Sequence, residues 1–224
     1  MSILSVESIG PPTHRNRLWR FLQAIAHVVF GVWLRFRAVG LENIPTEGPG
    51  LIIANHFSFL DPLLVGLPLM RPVSFVAREN LFRIPVIGWI LWNTYVMPIN
   101  REAAGTAVIR QTIERLNAGF LCGIFPEGTR SRDGQVGKFK PGFIALIRRS
   151  AVPIYPAALA GTGRALGRGA WFLKPVPVCT AFGKPISVET IREFLDRDDE
   201  EGLIAHVREQ VVATLAEAEA CLKR

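Results

Sequence analysis

Apolar stretches alternate with amphipathic ones along the chain, and this pattern predicts the order of its secondary-structure elements. Short apolar runs typical of buried strands lie at residues 37–41, 51–54, 73–77, 95–99, 120–125, 152–159 and 176–182. Segments with helical character lie at residues 62–70, 78–82, 106–118, 141–150 and 200–222. We therefore expect an α/β fold with a mainly parallel central sheet flanked by helices.

The predicted helix at residues 106–118 is amphipathic. Leu116 faces inward in this pattern, whereas Arg115 faces solvent, and Gly119 follows as a C-cap. The helix at residues 200–222 is rich in charged residues, and we expect it to pack on the outside of the core.

An apolar run of about 14 residues, at residues 21–34, is bracketed by arginines and has Trp19 and Trp33 near its ends. A helix that spans a bilayer needs about 20 apolar residues, so this run is too short to cross a membrane. Arginines and tryptophans at the ends of an apolar helix are typical of helices that lie in the membrane interface. We interpret residues 1–34 as a tail and an N-terminal interfacial helix; an ordinary core helix is the alternative.

The composition narrows the class of partner. The chain has 224 residues, and we expect residues 35–224 to form a single domain. Apolar residues make up 49% of the sequence, and the net charge is +7, from 26 Lys and Arg against 19 Asp and Glu. A basic, apolar protein favours an anionic partner, either nucleic acid or anionic lipid. Because the arginines lie beside apolar runs and are not interleaved with aromatic residues in the RNA-binding manner, we expect no nucleic acid.

The three cysteines, Cys122, Cys179 and Cys221, have neither the spacing of a zinc site nor an even number. They argue against a disulfide framework and fit a reducing compartment. We predict no metal site.

His56 and Asp61 follow the predicted buried strand at residues 51–54. Positions five apart point about 140° away from each other on a straight helix, so the two side chains cannot share a helix face. They can meet if residues 57–60 bend between the strand and the next helix. A carboxylate that contacts an imidazole fixes its tautomer and makes it a better base, so the pair is a candidate for acid–base catalysis. The alternative is structural, because Asp61 followed by Pro62 is also a common helix start.

A second polar loop follows the predicted strand at residues 120–125. Its block Glu127-Gly128-Thr129-Arg130 lies at the carboxyl end of a strand, where open α/β sheets place ligands. Gly128 lets the backbone approach a ligand closely, and Arg130 offers a planar donor fork suited to phosphate. A turn with solvated charges is the alternative.

These two blocks, followed by Val152-Pro153-Ile154-Tyr155-Pro156, resemble the glycerolipid acyltransferase family. The family signature is a His, four residues and an Asp, then a Phe-Pro-Glu-Gly-Thr-Arg-Ser block and an apolar segment that ends in Pro. All three occur here in that order, and the resemblance covers roughly residues 35–190. It implies a glycerolphosphate-acyltransferase-like fold, with residues 35–224 as the acyltransferase domain.

The resemblance implies transfer of a fatty acyl group to the free hydroxyl of 1-acylglycerol 3-phosphate, giving phosphatidate. The donor, a co-substrate, is acyl-CoA or acyl-carrier protein, and no cofactor is implied. The other expected partners are the lysophospholipid and the phospholipid surface of a membrane, with the protein on its cytoplasmic face. We expect the glycine-rich residues 161–169 to form a flexible loop that contacts the acyl carrier.

The same resemblance implies roles for individual residues. His56 is the general base, and Asp61 orients it. Glu127 bonds glycerol hydroxyls or orients an arginine. The acceptor's phosphate is held by Arg130 and Arg101, assisted by Lys138 or Lys140. The predicted substrate-binding set is Arg101, Glu127, Gly128, Thr129, Arg130 and Lys138. Backbone amides near residues 56–58 or 127–129 are the candidate oxyanion donors.

Three alternatives stay open at this point. In the first alternative, the acceptor is another lysophospholipid or a lyso-aminolipid. The signature residues are common to enzymes for all these acceptors, so they do not choose between them. A lipid hydrolase would use the same His56 and Asp61 to activate water, although no Gly-x-Ser-x-Gly nucleophile elbow occurs. A non-catalytic lipid-binding or nucleic-acid-binding protein is the third class, suggested by charge alone.

Overall fold

The computed structural model describes residues 17–99 and 104–223, and its strands are short and mostly buried. The strands are β1 (Arg37–Val39), β2 (Gly50–Ala54), β3 (Val73–Ser74), β4 (Val76–Arg78), β5 (Met97–Ile99), β6 (Leu121–Ile124), β7 (Ile154–Ala160) and β8 (Cys179–Phe182). Six of them form one sheet in the order β1-β8-β7-β2-β6-β3, while β4 and β5 pair separately. All pairs are parallel except β7 with β8. The predicted α/β class with a mainly parallel sheet is confirmed.

Helices cover both faces of the main sheet. They are α1 (Arg17–Trp33), α2 (Asp61–Gly66), α3 (Glu79–Phe82), α4 (Pro85–Asn93), α5 (Ala104–Asn117), α6 (Ile144–Ser150), α7 (Thr162–Leu166), α8 (Val188–Asp196) and α9 (Glu200–Leu222). Side chains alternate along β2, so Ile52 and Ala54 pack with residues of α1 and α2. Leu51 and Ile53 point the other way, into the core formed with α5, α6, α8 and α9.

α1 has two apolar faces. Phe30 and the following Leu34 are buried against the sheet. A second stripe at helical spacing is exposed to solvent: Phe21, Ile25, Val28 and Val32. The core-helix alternative thus holds for one face, and the interfacial interpretation stays a prediction for the other. None of the described helices is long and apolar enough to cross a membrane. Residues 1–16 of the predicted tail and helix lie outside the described residues.

Three local predictions are wrong. Residues 73–77 form two strands in different sheets, because the chain leaves the main sheet at the buried Phe75 and pairs with β5 beyond it. Arg115 is buried, with its guanidinium 5.2 Å from the ring centroid of Phe120. Residues 161–169 include the helix α7, whose N-cap Gly161 adopts a left-handed φ of 84°. The sequence pattern also missed α8, which Ser187 caps by accepting a hydrogen bond from the Thr190 amide.

The expectation of unpaired cysteines is also wrong. Cys179 in β8 and Cys221 in α9 form a disulfide, with Cα atoms 6.4 Å apart, and Cys122 is the free, buried thiol. The odd cysteine count had argued against a disulfide. The pairing was not predictable, because the two partners lie 42 positions apart and meet only when α9 packs on the sheet.

Candidate active site

The two predicted loops follow neighbouring parallel strands and begin at matching positions of the register. β2 and β6 are parallel neighbours, and Ile53 pairs with Ile124. His56 and Glu127 each lie three positions beyond that pair. Parallel register therefore brings the two loops together at the carboxyl ends of the strands, as open α/β sheets require for a ligand site.

His56 and Asp61 are in contact. The Nδ1 atom of His56 lies 2.9 Å from Oδ2 of Asp61. The Asp61 side chain is fully buried, whereas 20% of the His56 side chain is exposed. Because Asp61 engages Nδ1, the second ring nitrogen, Nε2, is the one left for a substrate. The ring of His56 also stacks on Phe125, with centroids 4.3 Å apart, which fixes its plane.

The bend predicted between these residues exists, and Asp61 holds it. The backbone amides of Phe57 and Ser58 each donate to Asp61 Oδ2 at 2.6 Å. A single carboxylate oxygen thus shapes the turn and meets the imidazole. Asp61 is also the first residue of α2, with Pro62 next to it, so it begins the helix as the structural interpretation expects, while its catalytic role stays a prediction.

Glu127 joins the second loop to the first. Its Oε1 accepts the backbone amide of His56 at 2.9 Å, and its Oε2 accepts that of Gly137 at 3.2 Å. Burial raises the pKa of Glu127, and these two hydrogen bonds work in the opposite direction. The carboxylate is therefore a brace between three backbone segments. Gly128 follows it with a left-handed φ of 69°, a conformation that favours glycine.

Arg130 lies over the exposed ring of Phe59, with the guanidinium carbon 3.5 Å from the ring centroid. Its Nη1 atom is buried and has no hydrogen-bond partner in the described part of the chain. Burial lowers the pKa of Arg130, and the positive charges of Arg168 and Arg78 lower it further. An oriented donor among like charges is an arrangement that an anion would stabilise.

A cleft of about 370 Å³ opens beside this arginine. The residues that line it include four predicted substrate-binding residues: Glu127, Thr129, Arg130 and Lys138. Arg168 also lines it. Lys140 is close to Gly128, with its Nζ atom 2.8 Å from the position a Cβ would take there. Arg101, the remaining member of the predicted set, lies outside the described residues.

The sequence model of the Acyltransferase family matches residues 35–160, which include both loops of this site. The chain belongs to the acyltransferase family. This confirms the resemblance noted from the three sequence blocks.

Relatives of this acyltransferase come from plants and bacteria. A chloroplastic 1-acyl-sn-glycerol-3-phosphate acyltransferase of Brassica napus is 37% identical over 133 residues, which are 58% of this chain and 38% of the plant protein. A 1-acyl-sn-glycerol-3-phosphate acyltransferase of Borreliella burgdorferi is 28% identical over 202 residues, covering 87% of this chain and 78% of the bacterial one. The chain thus spans about two fifths of the length of the plant relative that it matches.

A solved structure has the same architecture. The crystal structure of the 1-acyl-sn-glycerophosphate acyltransferase PlsC from Thermotoga maritima matches with a TM-score of 0.67 and 27% identity. The match covers 87% of this acyltransferase and 84% of PlsC.

Several residues that support the acyltransferase site were missed by sequence reasoning. The Asn55 side chain donates to the carbonyl of Leu159 and accepts its amide, so it continues the pairing of β2 with β7. Ser58 Oγ donates to the carbonyl of Leu166 at 2.6 Å, which anchors α7 to the His56 turn. Both partners are over 100 positions away, and no local pattern signals such contacts.

The two candidate sets of oxyanion donors differ in how many of their backbone amides already have a hydrogen-bond acceptor. The backbone amides at residues 56–58 all donate to the carboxylates of Asp61 and Glu127. At residues 127–129, only the amide of Gly128 has a backbone acceptor in the described part of the acyltransferase. The second loop is therefore the better source of an oxyanion donor.

Proposed function

We propose that this protein transfers an acyl group from a thioester donor to the free hydroxyl of 1-acylglycerol 3-phosphate, giving phosphatidate. Its family and the names of its relatives support that reaction. The observation that carries the proposal is the His56–Asp61 contact at 2.9 Å. The backbone amide of His56 donates to Glu127, which lines the cleft that contains Arg130. Such a site offers a base for an alcohol and a seat for a phosphate.

The proposed chemistry needs no enzyme nucleophile. Nε2 of His56 removes the proton from the acceptor hydroxyl as its oxygen attacks the thioester carbonyl. The C–S bond breaks when the tetrahedral intermediate collapses, and the imidazolium returns the proton to the leaving thiolate. Asp61 keeps Nδ1 protonated and stabilises the imidazolium that forms between the two steps.

The phosphate seat is assigned to the basic residues of the cleft. Arg130 is pre-oriented by Phe59 and has an unused donor, so it is the first ligand of the phosphate. Lys138 and Arg168 line the same cleft and add positive charge. Arg101 stays a predicted phosphate ligand.

Two further predicted residues have more limited roles in this proposal. Glu127 positions His56 and the Gly137 loop through its two hydrogen bonds. Its contact with a glycerol hydroxyl stays a prediction. Gly128 and Thr129 contribute backbone beside the reacting carbonyl, where the second loop borders the cleft.

The acyl donor is proposed to be acyl-CoA or acyl-carrier protein, acting as co-substrate. Both present an acyl thioester on phosphopantetheine, and basic residues beside the cleft suit the acidic character of either donor. No other cofactor is required by the proposed steps.

We also propose that the protein works at the cytoplasmic face of a membrane and meets its lysophospholipid there. The exposed apolar stripe of α1 supports this, because a stripe left in water on a basic protein is typical of an interfacial helix. Removing residues 1–34 would also remove Phe30 and Leu34 from the core, so the test uses substitutions. Val28→Glu with Val32→Glu should weaken sedimentation with phosphatidylglycerol-containing vesicles about tenfold or more. Undiminished sedimentation would exclude α1 as an anchor.

The reaction is tested by free-thiol release from acyl-CoA with and without 1-acylglycerol 3-phosphate. We expect acceptor-dependent release that falls by about 10²–10⁴ in His56→Ala, the usual loss for a general base. Release without acceptor would identify a hydrolase. Silence with a panel of lysolipids and with acyl-carrier protein, from folded protein, would refute the acyltransferase proposal.

A further inference from the structure

Two aromatic side chains beyond α7 are the most exposed large apolar groups in the described structure. Trp171 is 92% exposed and Phe172 is 81% exposed, ahead of Val32 at 78%. Soluble proteins rarely leave neighbouring large aromatic side chains in water without a partner for them. Neither residue belongs to the catalytic turn, to the cleft or to the core.

The segment that carries them is attached to α1. The indole of Trp33, at the end of α1, donates its Nε1 hydrogen to the carbonyl of Leu173 at 3.1 Å. Leu173 and Val176 pack partly buried against the core cluster that contains Phe30. One side of the segment is therefore fixed at the end of α1, a helix that has exposed apolar side chains of its own.

The two stretches of chain that carry this surface have charges of one sign. No Asp or Glu occurs in residues 8–41 or in residues 134–188. Arg164, Arg168 and Lys174 flank the aromatic pair. Aromatic side chains among Lys and Arg, without acidic residues, are the combination that anionic lipid headgroups and the upper acyl region attract.

We infer that residues 167–174, which we call the aromatic loop, insert Trp171 and Phe172 into an anionic lipid bilayer as a second membrane contact beside α1. The inference rests on the proposed membrane function and extends it to a new site. It also links that surface to the chemistry. Ser58 anchors Leu166, and Arg168 lines the cleft, so the aromatic loop runs from the bilayer to the seat of the phosphate.

The test compares Trp171→Glu/Phe172→Glu with wild type in co-sedimentation with vesicles of equal phosphatidylcholine and phosphatidylglycerol. We expect binding to weaken about tenfold or more, since two large apolar groups no longer enter the lipid. The matched control is Val212→Glu/Ala213→Glu, which adds the same charge at exposed positions of α9 on the opposite side of the sheet. That control should bind at least half as well as wild type.

A second readout separates this inference from the proposed function. Activity on vesicle-embedded 1-acylglycerol 3-phosphate should fall with binding, whereas activity on a short-chain, monomeric acceptor should stay within about twofold, since neither Trp171 nor Phe172 lines the cleft. Equal vesicle binding by the aromatic-loop variant and wild type would overturn the inference and leave the proposed function standing. Wild type that binds no vesicles would overturn the membrane proposal. Wild type that binds pure phosphatidylcholine equally well would overturn the role of anionic lipid.

Discussion

Asp61 uses one oxygen, Oδ2, for three hydrogen bonds: to the imidazole of His56 and to the amides of Phe57 and Ser58. The hydrogen bonds from the two amides hold the carboxylate in place. The imidazole of His56 therefore contacts a carboxylate that does not need to reorganise during proton transfer. The four-residue spacing between His and Asp is thus the length of the turn that Asp61 itself closes. A longer or shorter spacer would break that closure.

Ser58 tests the choice between direct attack and a covalent intermediate. Its hydroxyl is buried and donates to the Leu166 carbonyl. Ser58→Ala should keep turnover within about tenfold of wild type, whereas removing a nucleophile costs about 10³ or more. The carbonyl left unpaired should cost about 1–3 kcal/mol, which lowers the Tm by several degrees. Kinetics and thermal unfolding of the same preparation check the turnover and the Tm. An inactive variant with an unchanged Tm would contradict direct attack and indicate that Ser58 is a nucleophile.

Arg130 offers a second prediction at this scale. Arg130→Ala should raise the acceptor KM about tenfold to a hundredfold with little change in kcat, since one charged hydrogen bond to phosphate is lost equally in ground and transition states. Arg130→Lys should recover only part of this, because lysine has no planar fork to stack on Phe59. Arg149→Ala, an exposed arginine at the end of α6, is the matched control. An unchanged acceptor KM in Arg130→Ala would remove this residue from the phosphate seat.

Which parts of the site were predictable follows from how far apart the contacting residues lie. The His56–Asp61 contact is local, and the bend between them could be deduced from helix geometry. The carboxylate bonds of Glu127 were not predictable, because the sequence shows its charge but not that His56 and Gly137 present amides to it. The burial of Arg115 was missed for a different reason, since Phe120 is only five positions away: the stacking depends on the turn at Gly119.

At the scale of elements, α9 supports the cleft although its sequence is charged. Arg208 donates from Nε to the carbonyl of Gly137 at 3.0 Å and from Nη2 to that of Val136 at 2.7 Å. The bounds of α9 agree with the predicted residues 200–222, and in the structure Asp199 caps the first turn by accepting a hydrogen bond from the Gly202 amide. The function of α9 as a support for the loop was not predictable, since it depends on where the helix docks.

Arg208 is not one of the proposed substrate-binding residues. Arg208→Ala should nevertheless impair the enzyme, through the loop that Arg208 supports. The loop at residues 136–138 would lose two hydrogen bonds, and we expect the acceptor KM to rise about threefold to tenfold. Glu209→Ala, at the next and exposed position of α9, is the matched control and should leave KM unchanged. If both variants behave alike, the brace has no functional role.

At the scale of the whole molecule, the sheet separates two surfaces with different tasks. α2, the Phe30 end of α1 and Leu173 of the aromatic loop pack on one face, and α5, α6, α8 and α9 pack on the other. The active-site turn joins them, because Asp61 begins α2 while Glu127 follows β6. In the proposed membrane function, this division would let a chain with net charge +7 present a basic apolar face to lipid while the polar helix α9 stays toward solvent.

The disulfide between Cys179 and Cys221 ties that polar helix to β8 at the far end of the molecule. Protein denatured without reductant should show one reactive thiol, from Cys122, against three after reduction; Cys122→Ala should show none before reduction. Folded protein should resist alkylation, because burial raises the pKa of Cys122 to about 12 and little thiolate forms.

Cys221→Ser should lose about 2–4 kcal/mol of stability, since the unfolded chain gains freedom. Three reactive thiols in unreduced protein would show that no disulfide helps to hold α9.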